Sequence, residues 1–345
     1  YDTGVPSYRF GISVDDGLWI GGGYSWTSHG WRAEPYRAKQ SLSFSIAPGG
    51  QNAVLIDYSG HFPDAFKNID LVPEVDFNFP EYENYFGLGG NTTNPLRERE
   101  FHWVRMRNID INPLIRLDFG KSCKIDFGPT YRYRNIIFTD GRVTDVESSF
   151  FTEEALDARN YLGGLINFNL GYSDDKVFPT NGFGITASAS HTLEMQRDES
   201  VTDLSIESHA YIQLLSRPIL VLANNIGYQA TYGDRQFYQY AALGNNSGLR
   251  GYRNERFRGD AMLYNNTDLR LKLLTWNNNI LPMDVGVLGG YDIGKVYFDG
   301  TTDNTWKSSQ TIGLWMEILG AAVLQPYYSF NEEQNTITVQ LGFSF

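Results

Sequence analysis

Thr336-Ile337-Thr338-Val339-Gln340-Leu341-Gly342-Phe343-Ser344-Phe345 alternates without an error. Ile337, Val339, Leu341, Phe343 and Phe345 share one face, and Thr336, Thr338, Gln340, Gly342 and Ser344 the other, which is the period of two of an extended strand. The pattern recurs upstream. Phe183, Ile185, Ala187 and Ala189 oppose Gly184, Thr186, Ser188 and Ser190, while Ile125, Phe127, Tyr131 and Tyr133 oppose Lys124, Asp126, Thr130, Arg132 and Arg134. Alternation alone suits a soluble sandwich as well as a membrane barrel. The barrel is favoured because the strands are long, charged faces oppose wide apolar ones, and Tyr, Trp and Phe gather near strand ends where an interfacial girdle sits.

Working outward, the sequence predicts strands over 7–14, 18–31, 37–47, 52–62, 70–79, 99–119, 122–138, 160–172, 183–193, 203–215, 219–231, 263–274, 284–296, 309–317, 322–330 and 336–345. The fold class is therefore all-β: a transmembrane antiparallel β-barrel of about sixteen strands, an even number as single-chain bacterial barrels require. If the first strand rises from the periplasm, short turns such as Gly120-Lys121 and Ser216-Arg217-Pro218 fall on the periplasmic side. The long connections 80–98, 139–159 and 232–262 then fall outside, the last being the sixth extracellular loop. In 99–119, Arg105 and Arg107 share a parity with Ile109 and Ile111, so a bulge that shifts the facing by one residue is expected there.

Composition agrees. Aromatics make up 15% of the chain and glycines number 35, a profile of strands and turns. No apolar run approaches the roughly 18 residues a membrane helix needs, but barrel strands need only about 9 to 11 and are half apolar. A net charge of -12 argues against a nucleic-acid surface. The single Cys123 excludes an intrachain disulfide and any multi-thiolate metal site, and His29, His61, His102, His191 and His209 show no ligand spacing, so no metal or cofactor is expected. Gly21-Gly22-Gly23 and Gly87-Leu88-Gly89-Gly90 precede no phosphate-binding helix. No nucleophile-elbow sequence is present, so the barrel itself is expected to be no enzyme. No charged-then-apolar leader follows Tyr1, so 1–345 is expected to be one barrel domain, the C-terminal part of a longer precursor.

The sixth outer loop reads Gly244-Asn245-Asn246-Ser247-Gly248-Leu249-Arg250-Gly251-Tyr252. It resembles the (V/L)RG(F/Y) signature of the BamA/TamA outer-membrane assembly superfamily, the bacterial surface antigen barrels. Tyr291-Asp292-Ile293-Gly294 resembles that family's aromatic-Asp-x-Gly strand, and Phe178-Pro179-Thr180-Asn181-Gly182 its periplasmic turn before the ninth strand. Leu319-Gly320-Ala321-Ala322 echoes its small-residue turn without the usual proline, and Phe345 matches its C-terminal pattern. Tyr85-Phe86-Gly87-Leu88-Gly89 resembles Bacteroidetes-type members, some with a fused periplasmic domain.

The resemblance implies a loop folded into the lumen, with Leu249, Arg250, Gly251 and Tyr252 as a latch. The arginine would meet inward carboxylates, and by parity both Asp292 and Asp268 face inward. Asp268 stands where the family usually has Glu, and its shorter reach makes Asp292 the stronger expected partner. A lateral seam would lie between first and last strands, at Tyr8, Phe10, Ile12, Val339, Leu341, Phe343 and Phe345, offering unpaired backbone groups to an incoming strand.

The implied function is assembly, insertion or translocation of proteins at a Gram-negative outer membrane. Outer-membrane lipid and client outer-membrane or secreted proteins are the expected partners, with a periplasmic domain or accessory lipoproteins beside them. The alternative is a membrane anchor for a fused periplasmic metallophosphoesterase or patatin-like lipase. A passive porin ranks last, because a long inserted loop would block the pore.

Overall fold

The computed structural model describes residues 2–13, 17–30, 35–47, 53–67, 69–93, 100–146, 151–217, 219–278, 281–300, 305–343 and 345. Eighteen strands are described: β1 (Thr3–Ser13), β2 (Gly17–Ser28), β3 (Ala38–Ala47), β4 (Ala53–Phe66), β5 (Ile69–Asn84), β6 (Trp103–Phe119), β7 (Cys123–Ile137), β8 (Arg159–Ser173), β9 (Gly182–Glu194), β10 (Ser200–Ser216), β11 (Ile219–Gly233), β12 (Ala241–Leu243), β13 (Phe257–Gly259), β14 (Ala261–Trp276), β15 (Met283–Tyr297), β16 (Lys307–Ile318), β17 (Ala322–Asn331) and β18 (Asn335–Leu341). β12 and β13 pair only with each other, and the remaining sixteen form one antiparallel sheet closed on itself. Val14, Trp31, 48–52, Arg99, Pro218 and Ser344, which bear on the expected strands and turns, lie outside the described residues.

Register carries the facing of one strand round the whole wall. Asp292 lies opposite Asn266 and Ser309, Asp268 opposite Ala223 and Gly290, and each of these shares the lumen side. The outward positions are largely apolar, for example Leu42, Phe44 and Ile46 on β3 and Ile312 and Leu314 on β16, all exposed. An apolar exterior around a polar interior is the arrangement a closed sheet needs to sit in lipid with its backbone groups paired.

Four expectations are corrected. β5 runs on to Asn84 through a register shift between Asn78 and Glu81, because Pro80 sits in a bulge, where a missing N–H costs no ladder bond. That bulge belongs to β5 and not to β6: the β6–β7 register runs unshifted, so Arg105 and Arg107 face outward with Ile109 and Ile111. β6 starts at Trp103 after a helical turn over 100–102. β1 begins at Thr3, since an edge strand tolerates Pro6.

A further correction concerns the stretch that opened the sequence reading. Ile337, Val339 and Leu341 do face outward, but β18 ends at Leu341 and the chain turns at Gly342, φ 88°. Phe343 and Phe345 then leave the seam for the lumen. Phe343 packs 6.0 Å from Trp315 and 5.9 Å from Phe178, which itself stacks on Trp315 at 4.6 Å. Inside, the aromatic rings replace lipid contact by mutual burial and by Arg270, whose guanidinium lies 4.0 Å from the Phe343 ring. Phe178 arrives from the β8–β9 turn, so the periplasmic mouth is partly filled by a turn and a chain end.

Candidate functional site

The connection between β11 and β14 descends into the barrel. A short 3-10 helix, Phe237–Gln239, and the β12–β13 pair give it a framework, and Leu249 and Tyr252 anchor it in a buried cluster with Leu243, Phe257, Met262 and Tyr264. Burying four large side chains of this kind contributes on the order of 1.5 to 3 kcal/mol each. Two polar contacts fix the turn against the wall: Asn266 Nδ2 donates to the Gly248 carbonyl at 2.8 Å, and Tyr252 Oη to the Ser308 carbonyl at 3.2 Å.

Between these anchors Arg250 points at the β14–β16 wall. Its Nε donates to Asp292 Oδ2 at 2.8 Å and its Nη2 to Asp292 Oδ1 at 2.6 Å, a two-point fork, while Nη2 also reaches Asp268 Oδ1 at 2.7 Å. The Arg250 backbone N–H adds a bond to Asp292 at 3.1 Å, and Ser309 Oγ donates to the same carboxylate at 3.3 Å. Both carboxylates are fully buried. Burial would pull the guanidinium pKa down, but the two carboxylates outweigh it and hold it above the ordinary arginine value. The site is therefore a dry ion cluster, where removing one partner costs about 3 to 5 kcal/mol. The shorter reach of Asp268 is met by the wall itself, because the guanidinium lies against Gly290, opposite Asp268.

Backbone geometry makes room for this approach. A Cβ on Gly290 would lie 2.6 Å from both Arg250 Nη2 and Asp268 Oδ1. Gly251 has φ 84°, and a Cβ there would lie 2.6 Å from Ser329 Cβ. Only glycine combines the left-handed conformation with that contact.

The cluster continues toward the chain end. Arg270, fully buried, donates from Nη2 to Asp268 at 3.3 Å and to the Phe345 carbonyl at 3.0 Å. Arg250 also lies 5.9 Å from the Phe345 ring. A continuous polar path thus joins the loop, through Asp268 and Arg270, to the segment that follows β18.

Sequence reasoning missed three further buried arginines on the same loop. Arg256 makes a two-point pair with Glu333, at 2.8 and 2.6 Å, beside the β17–β18 turn, and Gln334 from that turn donates to the Gly251 carbonyl at 2.7 Å. Arg258 pairs with Glu83 at 2.7 Å, and Arg253 Nη2 donates to Asn84 Oδ1 at 3.2 Å. The available signal was four arginines within 250–258 of an acidic chain. The Tyr85-Phe86-Gly87-Leu88-Gly89 segment closes over them: Gly89 N–H donates to the Arg258 carbonyl at 2.7 Å, and Phe86 lies 4.8 Å from the Arg256 guanidinium.

The seam residues are less united. Thr3 through Ser13 all have partners on β2, whereas among the described residues the pairing of β1 with β18 is Ile12 with Val339 alone. Tyr8 and Leu341 are exposed on either side of it, and Phe10 pairs with Ile20 of β2. Inside the seam a cavity of about 700 Å³ is lined by Arg9, Trp19, Leu55, Glu83, Arg258 and Leu341. The loop borders this cavity as well, through Asn246, Asn254, Glu255 and Arg258. No group of His, Cys, Asp or Glu among the described residues could hold a metal ion.

No family model and no curated protein matches this sequence. Solved structures do match the fold. BamA from Haemophilus ducreyi lacking POTRA domains 1-3 superposes with TM-score 0.68 at 15% identity, over 99% of this chain and 70% of that one. CdiB from Acinetobacter baumannii gives TM-score 0.56 at 10% identity, over 99% of this chain and 59% of that one. The fold is thus the BamA-type barrel of outer-membrane proteins, and the chain spans about two thirds of the length of these two neighbours.

Proposed function

We propose that the chain works as the barrel of an outer-membrane assembly or translocation protein, acting on client outer-membrane or secreted proteins through the line between β1 and β18. The observation that carries this reading is that, among the described residues, Ile12–Val339 is the single pairing at that line. Elsewhere each ladder runs for most of a strand, so opening here breaks few hydrogen bonds and frees an edge that can template an incoming strand. The cavity behind the seam gives that strand's side chains somewhere to go. The Arg250 cluster holds the loop against β14–β16, and Arg270 ties it to the segment that follows β18.

A passive pore is disfavoured by the buried loop, which crosses the lumen and is held at Arg250, Arg256 and Arg258. The test uses the full chain in proteoliposomes, with an unfolded barrel protein supplied as client. Cysteines at Ile12 and Val339, which face each other at the roughly 4.5 to 5.5 Å Cβ spacing of a cross-strand pair, can be oxidised to a disulfide. Client insertion should stop on oxidation and return on reduction; unchanged insertion through a locked seam would sink the proposal.

A further inference from the structure

The outward face of the barrel sorts its charges with one exception to neutrality. Among the described residues of the regularly paired strands none of the carboxylates faces outward, although the chain has 40 Asp and Glu residues. Three cations have that parity among the described residues: Arg105 and Arg107 on β6, and Lys295 on β15, which is buried, each within a few residues of the end of its strand. Lys295 lies 4.5 Å from the Tyr297 ring.

Arg105 and Arg107 stand one above the other, about 6 to 7 Å apart along the strand. Below them the outward face runs Ile109, Ile111, Pro113, Ile115, Leu117 and Phe119 without a charge. Twelve residues separate Arg107 from Phe119, which at ~3.3 Å per residue and ~40° of tilt is roughly 30 Å of height, just above an apolar band of about 25 Å. The two guanidiniums therefore sit at headgroup level in the outer leaflet.

Their surroundings hold cations but do not neutralise them. Arg107 is exposed and lies 4.5 Å from the Phe79 ring; Arg105 lies 5.9 Å from Tyr82. Neither has an ion pair or side-chain hydrogen bond among the described residues, and Arg105 Nε is sheltered with nothing to donate to. Arg142, from the loop above, crosses the same aromatic pair at 5.8 Å from Tyr82 and 5.5 Å from Trp103, and its nearest carboxylate is Glu100 at 3.9 Å. Its Nη1 is likewise sheltered and undonated. Two guanidiniums facing lipid, with a third from the loop above resting on the same aromatic side chains, offer planar forks suited to phosphate oxygens.

We infer that Arg105, Arg107 and Arg142, with Tyr82 and Trp103, form a binding site for the phosphate groups of a phosphorylated glycolipid in the outer leaflet. The acyl chains of such a lipid would lie on the Ile109–Phe119 strip, so one molecule would satisfy both halves of the face. Nothing in this depends on the seam or on the Arg250 cluster.

The full chain in detergent micelles is titrated with diphosphoryl lipid A, with the same lipid stripped of both phosphates, and with inorganic phosphate, following the fluorescence of tryptophan, of which Trp103 lies in the site. Diphosphoryl lipid A should bind at least about ten-fold more tightly than the dephosphorylated form, the worth of one charge-assisted contact. The R105Q/R107Q variant should lose that preference, and R105K/R107K, which keeps the charge but not the planar fork, should retain only part of it. Millimolar inorganic phosphate should leave lipid binding intact. The inference fails if folded R105Q/R107Q retains the preference, or if inorganic phosphate displaces the lipid, which would make this a free-anion site. Folding is read by heat-modifiable gel mobility. Should the double variant not fold, R107Q alone, an exposed side chain that rests on the Phe79 ring, must still lose about three-fold of the preference.

Discussion

At the scale of single residues, the site is decided by where a side chain is absent. Gly290 and Gly289 are neighbours on β15, one facing the lumen and one facing lipid. A methyl on Gly290 would meet two buried charged groups that cannot retreat, whereas a methyl on Gly289 meets nothing within 4 Å. Gly290→Ala should therefore destabilise the barrel by about 1 to 3 kcal/mol, the usual cost of overpacking, and Gly289→Ala by almost nothing. Comparing the midpoints of heat-modifiable mobility tests this; equal midpoints would mean that the Arg250 cluster has slack. Residue types carried much of this site in the sequence. Arg250, Asp268 and Asp292 could be paired on paper by strand parity and loop motif. The roles of Arg253, Arg256 and Arg258 could not, because Glu83, Asn84 and Glu333 lie far away in sequence and no periodicity links them.

At the scale of elements, the β8–β9 turn shows how a short connection is made rigid. Asp175 accepts the N–H groups of Val177 and Phe178, at 2.7 and 3.0 Å, and Asp174 those of Thr180 and Asn181, at 3.0 and 3.1 Å. The hydrogen bonds hold the Asp175 carboxyl below the ordinary aspartate value. Slight burial pushes Asp174 upward, but bonds from Thr180 and Asn181 outweigh it and leave it lowered as well. Folded values below the unfolded value of about 3.9 mean that the turn's stabilisation is complete above that pH and is lost as pH falls through the folded values. D174N/D175N should lower the unfolding temperature at pH 7, and the difference from wild type should shrink below pH 4. A difference that persists at pH 2 would rule out the carboxylates as its source. Strand existence was legible from alternation throughout, yet two element-level features were hidden. The turn at Gly342 breaks no sequence pattern, since Phe343 and Phe345 continue the alternation that they abandon in space. Arg105 and Arg107 seemed to demand a bulge only because an outward arginine looks wrong until its height above the lipid band is counted.

At the scale of the whole molecule, the lumen is filled from above by the β11–β14 connection and from below by Phe178, Phe343 and Trp315. If the buried arginine is what holds the upper filling, Arg250→Ala should let the loop lift. Planar-bilayer recordings should then show larger and more frequent conductance steps than wild type. Silent bilayers from a folded Arg250→Ala variant would shift the weight of retention to Arg256 and Arg258.

The one rung between β1 and β18 has a further property. With a single pairing among the described residues, the seam is a vernier whose divisions are two residues wide. Sliding by two sets Ile337 or Leu341 opposite Ile12 in place of Val339, and every choice presents an apolar side chain to lipid. Sliding by one would turn Thr338 or Gln340 outward and the apolar set inward, which the pleat forbids. The circumference of the barrel at its weakest line can thus change in discrete notches without altering what the bilayer touches.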